Sequence, residues 1–377
     1  MPVTVPAKVV AALALVTGLL AAPSTQAFEV NGVALTSWGY DGLKDPSGRD
    51  ALRWIRCQGA TDVAIVTENM VQTDTGRVSS PSSHVVPGPS LSEAISYARS
   101  LGLKVTVKPH YLSSKTQDHL AYPAYQPPDI FAFFDSLRVN LLEHARLAEA
   151  TGATRLVLGT ELGGHLTGPE WRFMWQKIIR EVRQVFHGSL TYSATVDTEW
   201  KTSRAANEAA FVSFWESVDE VGVNIYPKLS HAANPGVADL ERAYRGNDAG
   251  DDVVGFVRAL AARTNKPMLF MEHGFRSLGA NYWDTGSWGD KGNRVDNQAQ
   301  VKLLEASLNV WEREGAGWLK GVFLWEIHAT LPQPDTQDWW DRGFVFRYKP
   351  AAEVVRRHFG GTEARDAAGQ PILCPAQ

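Results

Sequence analysis

The alternation along this chain predicts an α/β protein, a single-domain (β/α)8 TIM barrel with long loops on its C-terminal face. Short apolar runs alternate with longer amphipathic stretches from Val33 onward, the pattern of parallel strands joined by crossover helices. Eight such runs can be counted, each followed by a stretch able to form a helix or helical insertion. After the first run stands Thr36-Ser37-Trp38-Gly39-Tyr40. An open doubly wound sheet, the competing architecture, would have a Gly-rich phosphate turn where this segment sets an aromatic ring.

In chain order, residues 1–27 are expected to form an export signal. Lys8 gives the positive start, Val9 to Ala22 an apolar stretch too short for comfortable bilayer spanning, and Thr25-Gln26-Ala27 the cleavage spacing. The mature chain then begins near Phe28, and no cysteine follows the apolar run to carry a lipid. An uncleaved anchor is the alternative. Residues 28–360 are expected to be the catalytic domain and 361–377 a loosely ordered C-terminal tail.

Strands are expected at 32–37, 62–67, 104–108, 155–159, 190–195, 220–225, 267–271 and 321–325. Ser90-Leu91-Ser92-Glu93 reads as a capping box opening a helix that Gly102 closes. An amphipathic stretch over 129–150 ends at Gly152, and Thr167-Gly168-Pro169-Glu170 reads as a second box closed by Gly188. Segments 68–89, 110–128 and 276–297 lack helical period and are expected as active-face loops, because each follows a strand. The last helix is expected over 350–359.

Composition narrows the function. At 44% apolar and 21% charged, the chain is an ordinary globular protein with a sizeable core. A net charge of −4 gives no support for nucleic acid or an anionic membrane as partner. A monomer is expected, periplasmic or extracellular, with no stable membrane association once the signal is removed. Thirteen Trp stand out, and flat indoles stack on sugar rings as well as filling cores. Cys57 and Cys374 can form a bridge between the first helix and the tail, or remain two free thiols.

Chemistry concentrates at the ends of the runs. Leu156-Val157-Leu158-Gly159-Thr160-Glu161 and Met268-Leu269-Phe270-Met271-Glu272 each end a buried run in a carboxylate, which is costly to desolvate unless it works at the open end of the strand. Two such ends on one rim suggest the acid and the nucleophile or base of glycosidic cleavage. The same rim gathers Trp38, Glu68, Asn69, His110, Asp197, Trp200, Asn224, Tyr226, His273, Trp325, Glu326 and His328. Of these, Trp38, His110, Asp197, Asn224, Tyr226, Trp325 and Glu326, together with Thr160, are the candidate substrate-binding residues. Tyr226 is placed to donate to a nucleophilic carboxylate and Trp325 to floor a sugar ring. Salt bridging, backbone contacts and core packing are their structural alternatives. The sequence has no His-Glu-x-x-His, zinc-spaced cysteine pair, phosphate loop or Gly-x-Ser-x-Gly elbow. No cofactor and no metal are expected, although His110, His273 and His328 could converge.

The runs Thr36-Ser37-Trp38, Gly102-Leu103-Lys104-Val105-Thr106-Val107-Lys108-Pro109-His110 and Gly159-Thr160-Glu161-Leu162 resemble those of glycoside hydrolase family 113. So do Leu190-Thr191-Tyr192-Ser193-Ala194, Asn224-Ile225-Tyr226-Pro227 and Glu272-His273-Gly274-Phe275-Arg276-Ser277. The resemblance extends from about Val30 to Phe359 and rests on the order and spacing of the runs. It implies a retaining β-glycosidase barrel, an endo-β-1,4-mannanase, with Glu161 as acid/base, Glu272 as nucleophile and Tyr226 as the nucleophile's hydrogen-bond donor. Two positions depart from the wider clan: Thr160 stands where Asn is usual, and Asn224 where an Asp is expected. The expected partner is a polysaccharide or oligosaccharide. A β-glucanase or exopolysaccharide hydrolase of the same fold is the alternative substrate class, and a non-catalytic glycan-binding barrel the alternative from outside catalysis.

Overall fold

A computed structural model describes residues 1, 28–38, 41–79, 88–116, 120, 125–197, 207–279, 282–286, 294–332, 337–361 and 364–374. The expected signal over 2–27 and Trp200 lie outside them. The chain runs β1 (Val30–Thr36), α1 (Pro46–Cys57), β2 (Asp62–Val71), β3 (Val78–Ser79), α2 (Gly88–Ser100), β4 (Lys104–Ser113) and α3 (Ile130–Thr151). It continues through β5 (Arg155–Thr160), α4 (Gly164–Thr167), α5 (Arg172–Arg183), β6 (Ser189–Val196), β7 (Val221–Ile225), α6 (Val237–Ala243) and α7 (Val253–Thr264). The last elements are β8 (Met268–His273), α8 (Asn297–Glu314), β9 (Leu319–His328), α9 (Gln337–Arg342) and α10 (Ala351–Phe359).

Eight of these strands pair in parallel in the order β1-β9-β8-β7-β6-β5-β4-β2, and pairing of β1 with β2 closes the ring. The short β3 pairs antiparallel with β2 as a hairpin outside the ring. The fold is the (β/α)8 barrel. Among the described residues the β6–β7 connection carries two 3-10 turns, Glu208–Ala210 and Trp215–Ser217, where the sequence suggested a helix or helical insertion.

Local chemistry accounts for the elements and for the departures. α3 starts where Asp129 accepts from the Ala132 N–H (2.9 Å) and ends at Gly152, whose φ of 72° suits a residue without Cβ. The Ser90 box does not open α2, which starts two residues earlier. Ser90 Oγ instead donates to Asp41 (2.6 Å), and Ser92 Oγ back-bonds to the Gly88 carbonyl (2.8 Å). Thr167 likewise does not cap α5, because its hydroxyl donates to the Gly163 carbonyl (3.2 Å) and to Glu208 (3.3 Å). β2 and β4 continue past the apolar runs into polar residues, with Glu68 paired to His110 and Asn69 to Tyr111 in the ladder. Part of the first two expected loops, 68–89 and 110–128, is therefore strand.

The barrel interior is layered. At the bottom, Arg155 bonds Glu220 through Nε (2.6 Å) and Nη2 (3.2 Å), with Asp62 at 3.6 Å and Lys320 donating to Glu220 at 2.7 Å. The guanidinium sits 5.8 Å over the Phe323 ring. Phe323 packs with Val30, Ala64, Val157, Leu269 and Met271 to form the apolar middle. Gly32 makes room for it, because a Cβ there would lie 2.3 Å from the Phe323 ring. Above come Ala34, Val66, Trp325 and Phe344, flanked by Trp38 and Tyr226. A larger core fills the space between strands and helices. No described helix is long and apolar enough to cross a membrane.

Over its described residues 364–374 the tail is docked, not loose. Cys57, the last residue of α1, is bonded to Cys374, with Cα atoms 5.8 Å apart. The Ala367 N–H donates to the Ser100 carbonyl (2.9 Å), and Ile372 packs against the core.

Candidate active site

Period-two alternation sends Leu269 and Met271 of β8 into the barrel. It would turn Glu272 outward. The pairing of β8 with β7 and β9 shifts register at this point, and such an irregularity re-aims a side chain. Glu272 accordingly points to the axis, while His273 faces outward, bonding the Ile225 carbonyl (2.8 Å) and Ser307 of α8. On the other side Glu161 follows β5 with a φ of 50°, a left-handed conformation costing a non-glycine residue roughly 1–2 kcal/mol. Its turn is pinned on both sides. The Glu161 N–H donates to the Ser193 carbonyl (2.9 Å), and the Leu162 N–H donates to the Tyr192 hydroxyl (2.9 Å).

The two carboxylates have opposite environments. Glu272 is 4% exposed; its Oε1 takes a hydrogen bond from Lys108 Nζ and lies 3.4 Å from His110 Nε2. Its Oε2 accepts from the Tyr226 hydroxyl at 2.8 Å. Burial alone would raise its pKa, but the Lys108 charge and the His110 and Lys108 hydrogen bonds outweigh it and hold the carboxyl well below the usual range. Glu161 is 9% exposed and accepts from Asn224 Nδ2 (2.8 Å). Burial first, then the charge of Glu272, push its pKa up to about 7, against the Asn224 hydrogen bond and Lys108. One carboxyl is kept ionised and the other is poised to carry a proton.

Lys108 is fully buried between them. Burial lowers its pKa, while Glu272, Glu161 and Glu326 pull the other way. The proton belongs on Lys108, because Tyr226 already donates to Glu272 and favours its anion. Lys108 was missed as a functional residue in the sequence, although it is a charge inside an apolar strand run, the same signal that marks the glutamates.

Aromatic rings floor this cluster. Trp325 stacks on His110 (centroids 5.5 Å, 11° between planes), and Trp38 meets both edge-on at 6.0 and 5.9 Å. Tyr226 packs on Phe344 at 5.4 Å. Glu326 follows Trp325 across a cis peptide and lies beneath Trp38, accepting from its indole N–H (2.9 Å) and from Thr36 Oγ1 (2.8 Å), with His328 at 3.4 Å.

Trp38, His110, Glu161, Asn224, Tyr226, Glu272, Trp325 and Glu326 thus form one connected group. Thr160 is fully buried, its hydroxyl donating to the Pro109 carbonyl (3.1 Å), where the sequence suggested a sugar contact. Asp197 lies just past β6 and pairs with Lys228 at 3.7 Å. Asn224 also accepts from Ser193 Oγ, which orients its amide toward Glu161. His110, His273 and His328 have separate partners, and the described residues contain no three-residue group of His, Cys, Asp and Glu suited to a metal ion.

Glycoside Hydrolase Family 113 is the family whose model matches the chain, over residues 37–349. No curated protein matches it in sequence. Among solved structures, a GH113 β-1,4-mannanase in complex is similar with a TM-score of 0.70 at 20% identity, covering 89% of this chain and 99% of that one. The GH113 β-mannanase of Alicyclobacillus acidocaldarius in complex with ManMIm is similar with a TM-score of 0.69 at 21% identity, covering 88% and 97%. The endo-1,4-β-D-mannanase of Thermotoga petrophila RKU-1 has a TM-score of 0.55 at 12% identity, covering 88% and 99%.

Proposed function

The chain belongs to glycoside hydrolase family 113 and is a glycoside hydrolase; on that premise we propose that it is an exported, retaining endo-β-1,4-mannanase using Glu272 as nucleophile and Glu161 as acid/base. The observation that carries this reading is the split between the two carboxyls, one held ionised by Lys108, His110 and Tyr226, the other raised to about 7. In the first step Glu272 attacks the anomeric carbon while Glu161 gives its proton to the departing oxygen, leaving a glycosyl ester and a Glu161 carboxylate. In the second, Glu161 takes a proton from water as that water displaces Glu272. The Tyr226 hydrogen bond holds the attacking carboxylate in line, and Trp325 and Trp38 offer faces for the sugar. The mannosidic preference draws on the mannanases that share the fold.

Reducing ends released from mannan, glucan, xylan and chitosan would test the substrate, and proton NMR of the first product anomer would test the stereochemistry. Mannan cleavage with the β-anomer appearing first is expected. An α-anomer first would overturn retention, and activity confined to another polymer would overturn the mannanase reading. Export is supported by the signal-like start and by the Cys57–Cys374 bond, which persists in oxidising compartments. A mature N-terminus found elsewhere than near Phe28 would overturn the cleavage.

A further inference from the structure

Glu208 lies in the 3-10 turn between β6 and β7, fully buried, and meets no cation among the described residues. Its Oε1 accepts from the Tyr192 hydroxyl (2.6 Å) and from Thr167 Oγ1 (3.3 Å), and its Oε2 from the Thr195 N–H (3.3 Å). Burial pushes its pKa up to about 8, with the charge of Glu161 adding to the rise. A buried acid with no counterion among the described residues is an expensive choice for packing alone, since an apolar residue would fill the space without it.

The direction of the hydrogen bonds suggests what it does. A phenol has one proton and lone pairs that accept. The Tyr192 hydroxyl donates its hydrogen bond to Glu208, which leaves its oxygen to accept from the Leu162 N–H, the amide directly after the left-handed Glu161. Without an acceptor at Glu208, the hydroxyl could rotate toward another group and release that amide. The adjacent Ser193 pins the other side of the turn, accepting from the Glu161 N–H and donating to the Asn224 amide that holds the Glu161 carboxyl. Of these anchors, only the Tyr192 hydroxyl has a free torsion at the oxygen that contacts the turn, and Glu208 fixes it.

We propose that Glu208 is a positioning residue for Glu161, acting through the Tyr192 hydroxyl on the Leu162 amide, an inference that rests on the acid/base reading of Glu161. Proton donation then depends on Glu208, while nucleophilic attack by Glu272 does not. The test compares an oligosaccharide, whose leaving oxygen must be protonated, with a dinitrophenyl β-glycoside of the same sugar, whose leaving group need not be. Glu208→Ala and Tyr192→Phe should each lower kcat/KM, which reports the first step, on the oligosaccharide roughly ten- to a hundredfold, as expected for a displaced catalytic group, with kcat/KM on the aryl substrate within about threefold. The double variant should lose no more than either single one, because both act on one chain of hydrogen bonds. Glu208→Gln, whose amide oxygen can still accept from Tyr192, should recover most of the activity. Equal losses on both substrates, no loss on either, or additive losses in the double variant would overturn the proposal. Tyr192→Phe keeps the test valid if Glu208→Ala does not fold. The Glu161→Gln variant separates the premises: if it loses both substrates equally, the acid/base reading fails and takes this proposal with it. If it discriminates between them and Glu208→Ala and Tyr192→Phe do not, only the positioning role fails.

Discussion

Both ends of the barrel axis bury charge, but in different proportions. At the bottom, Asp62 and Glu220 face Arg155 and Lys320, two acids against two bases. Arg155 and Lys320 overcome burial and hold Glu220 below its ordinary pKa, and only Asp62, at the longer distance of 3.6 Å, is left raised by burial. At the top, three carboxylates, Glu161, Glu272 and Glu326, share the field of one ammonium, Lys108. Lys108 sits against Glu272, so Glu161 is the group left to rise. The lesson lies in stoichiometry: a balanced cluster fixes charges, whereas a cluster with more carboxylates than cations creates an acid that can change its proton near neutrality.

The sharpest way to break this comparison is to neutralise the two top carboxylates in turn. Glu272→Gln should abolish turnover, by roughly 10^4-fold or more, on every substrate, because no glycosyl ester can form. Glu161→Gln should lose roughly 10^2- to 10^4-fold in kcat/KM on oligosaccharides and much less in kcat/KM on activated aryl glycosides. Steady-state kinetics on both substrate types check this, and equal mild losses would place the chemistry elsewhere.

Removing the shared cation comes next in size. Lys108→Met should lower kcat about ten- to a thousandfold. It should also move both limbs of the kcat/KM profile to higher pH, since Lys108 now lowers the pKa of Glu272 and of Glu161 alike. An unmoved acid limb would mean that Lys108 does not set the charge of Glu272.

The balanced end should respond in stability and hardly at all in activity. Glu220→Gln leaves Arg155 with its more distant partner and should cost about 3–5 kcal/mol, read by denaturant unfolding, with kcat of the folded enzyme unchanged. The lowered carboxyl of Glu220 contributes stability above its unfolded pKa of about 4.3 that is lost as pH falls through the folded value. The variant should therefore lose less stability on acidification than the parent.

Much of this was legible in the sequence. The apolar runs announced all eight barrel strands, and two glutamates at their ends located the rim. The polar continuations of β2 and β4 were read as loops because pairing between strands, such as Glu68 beside His110, leaves no local periodic trace. Thr160 was placed in the cleft by its position before Glu161, but the register shift between β5 and β6 leaves its hydroxyl against Pro109. The capping boxes failed because Ser90 and Thr167 found tertiary partners. Glu208 carried no sequence signal, since its partners Tyr192 and Thr195 belong to a different element.

The bond between Cys57 and Cys374 also determines how the enzyme wears out. It encloses a loop with a sequence separation of 317 residues, so β2 through β9 lie within one covalent ring and only β1 enters from outside. A protease that nicks a rim loop between Cys57 and Cys374 opens this ring without releasing a fragment. The cut chain keeps its mass until a reductant arrives, and the pieces stay tethered near their native positions. Damage becomes visible only on reduction, when one band on a gel becomes two.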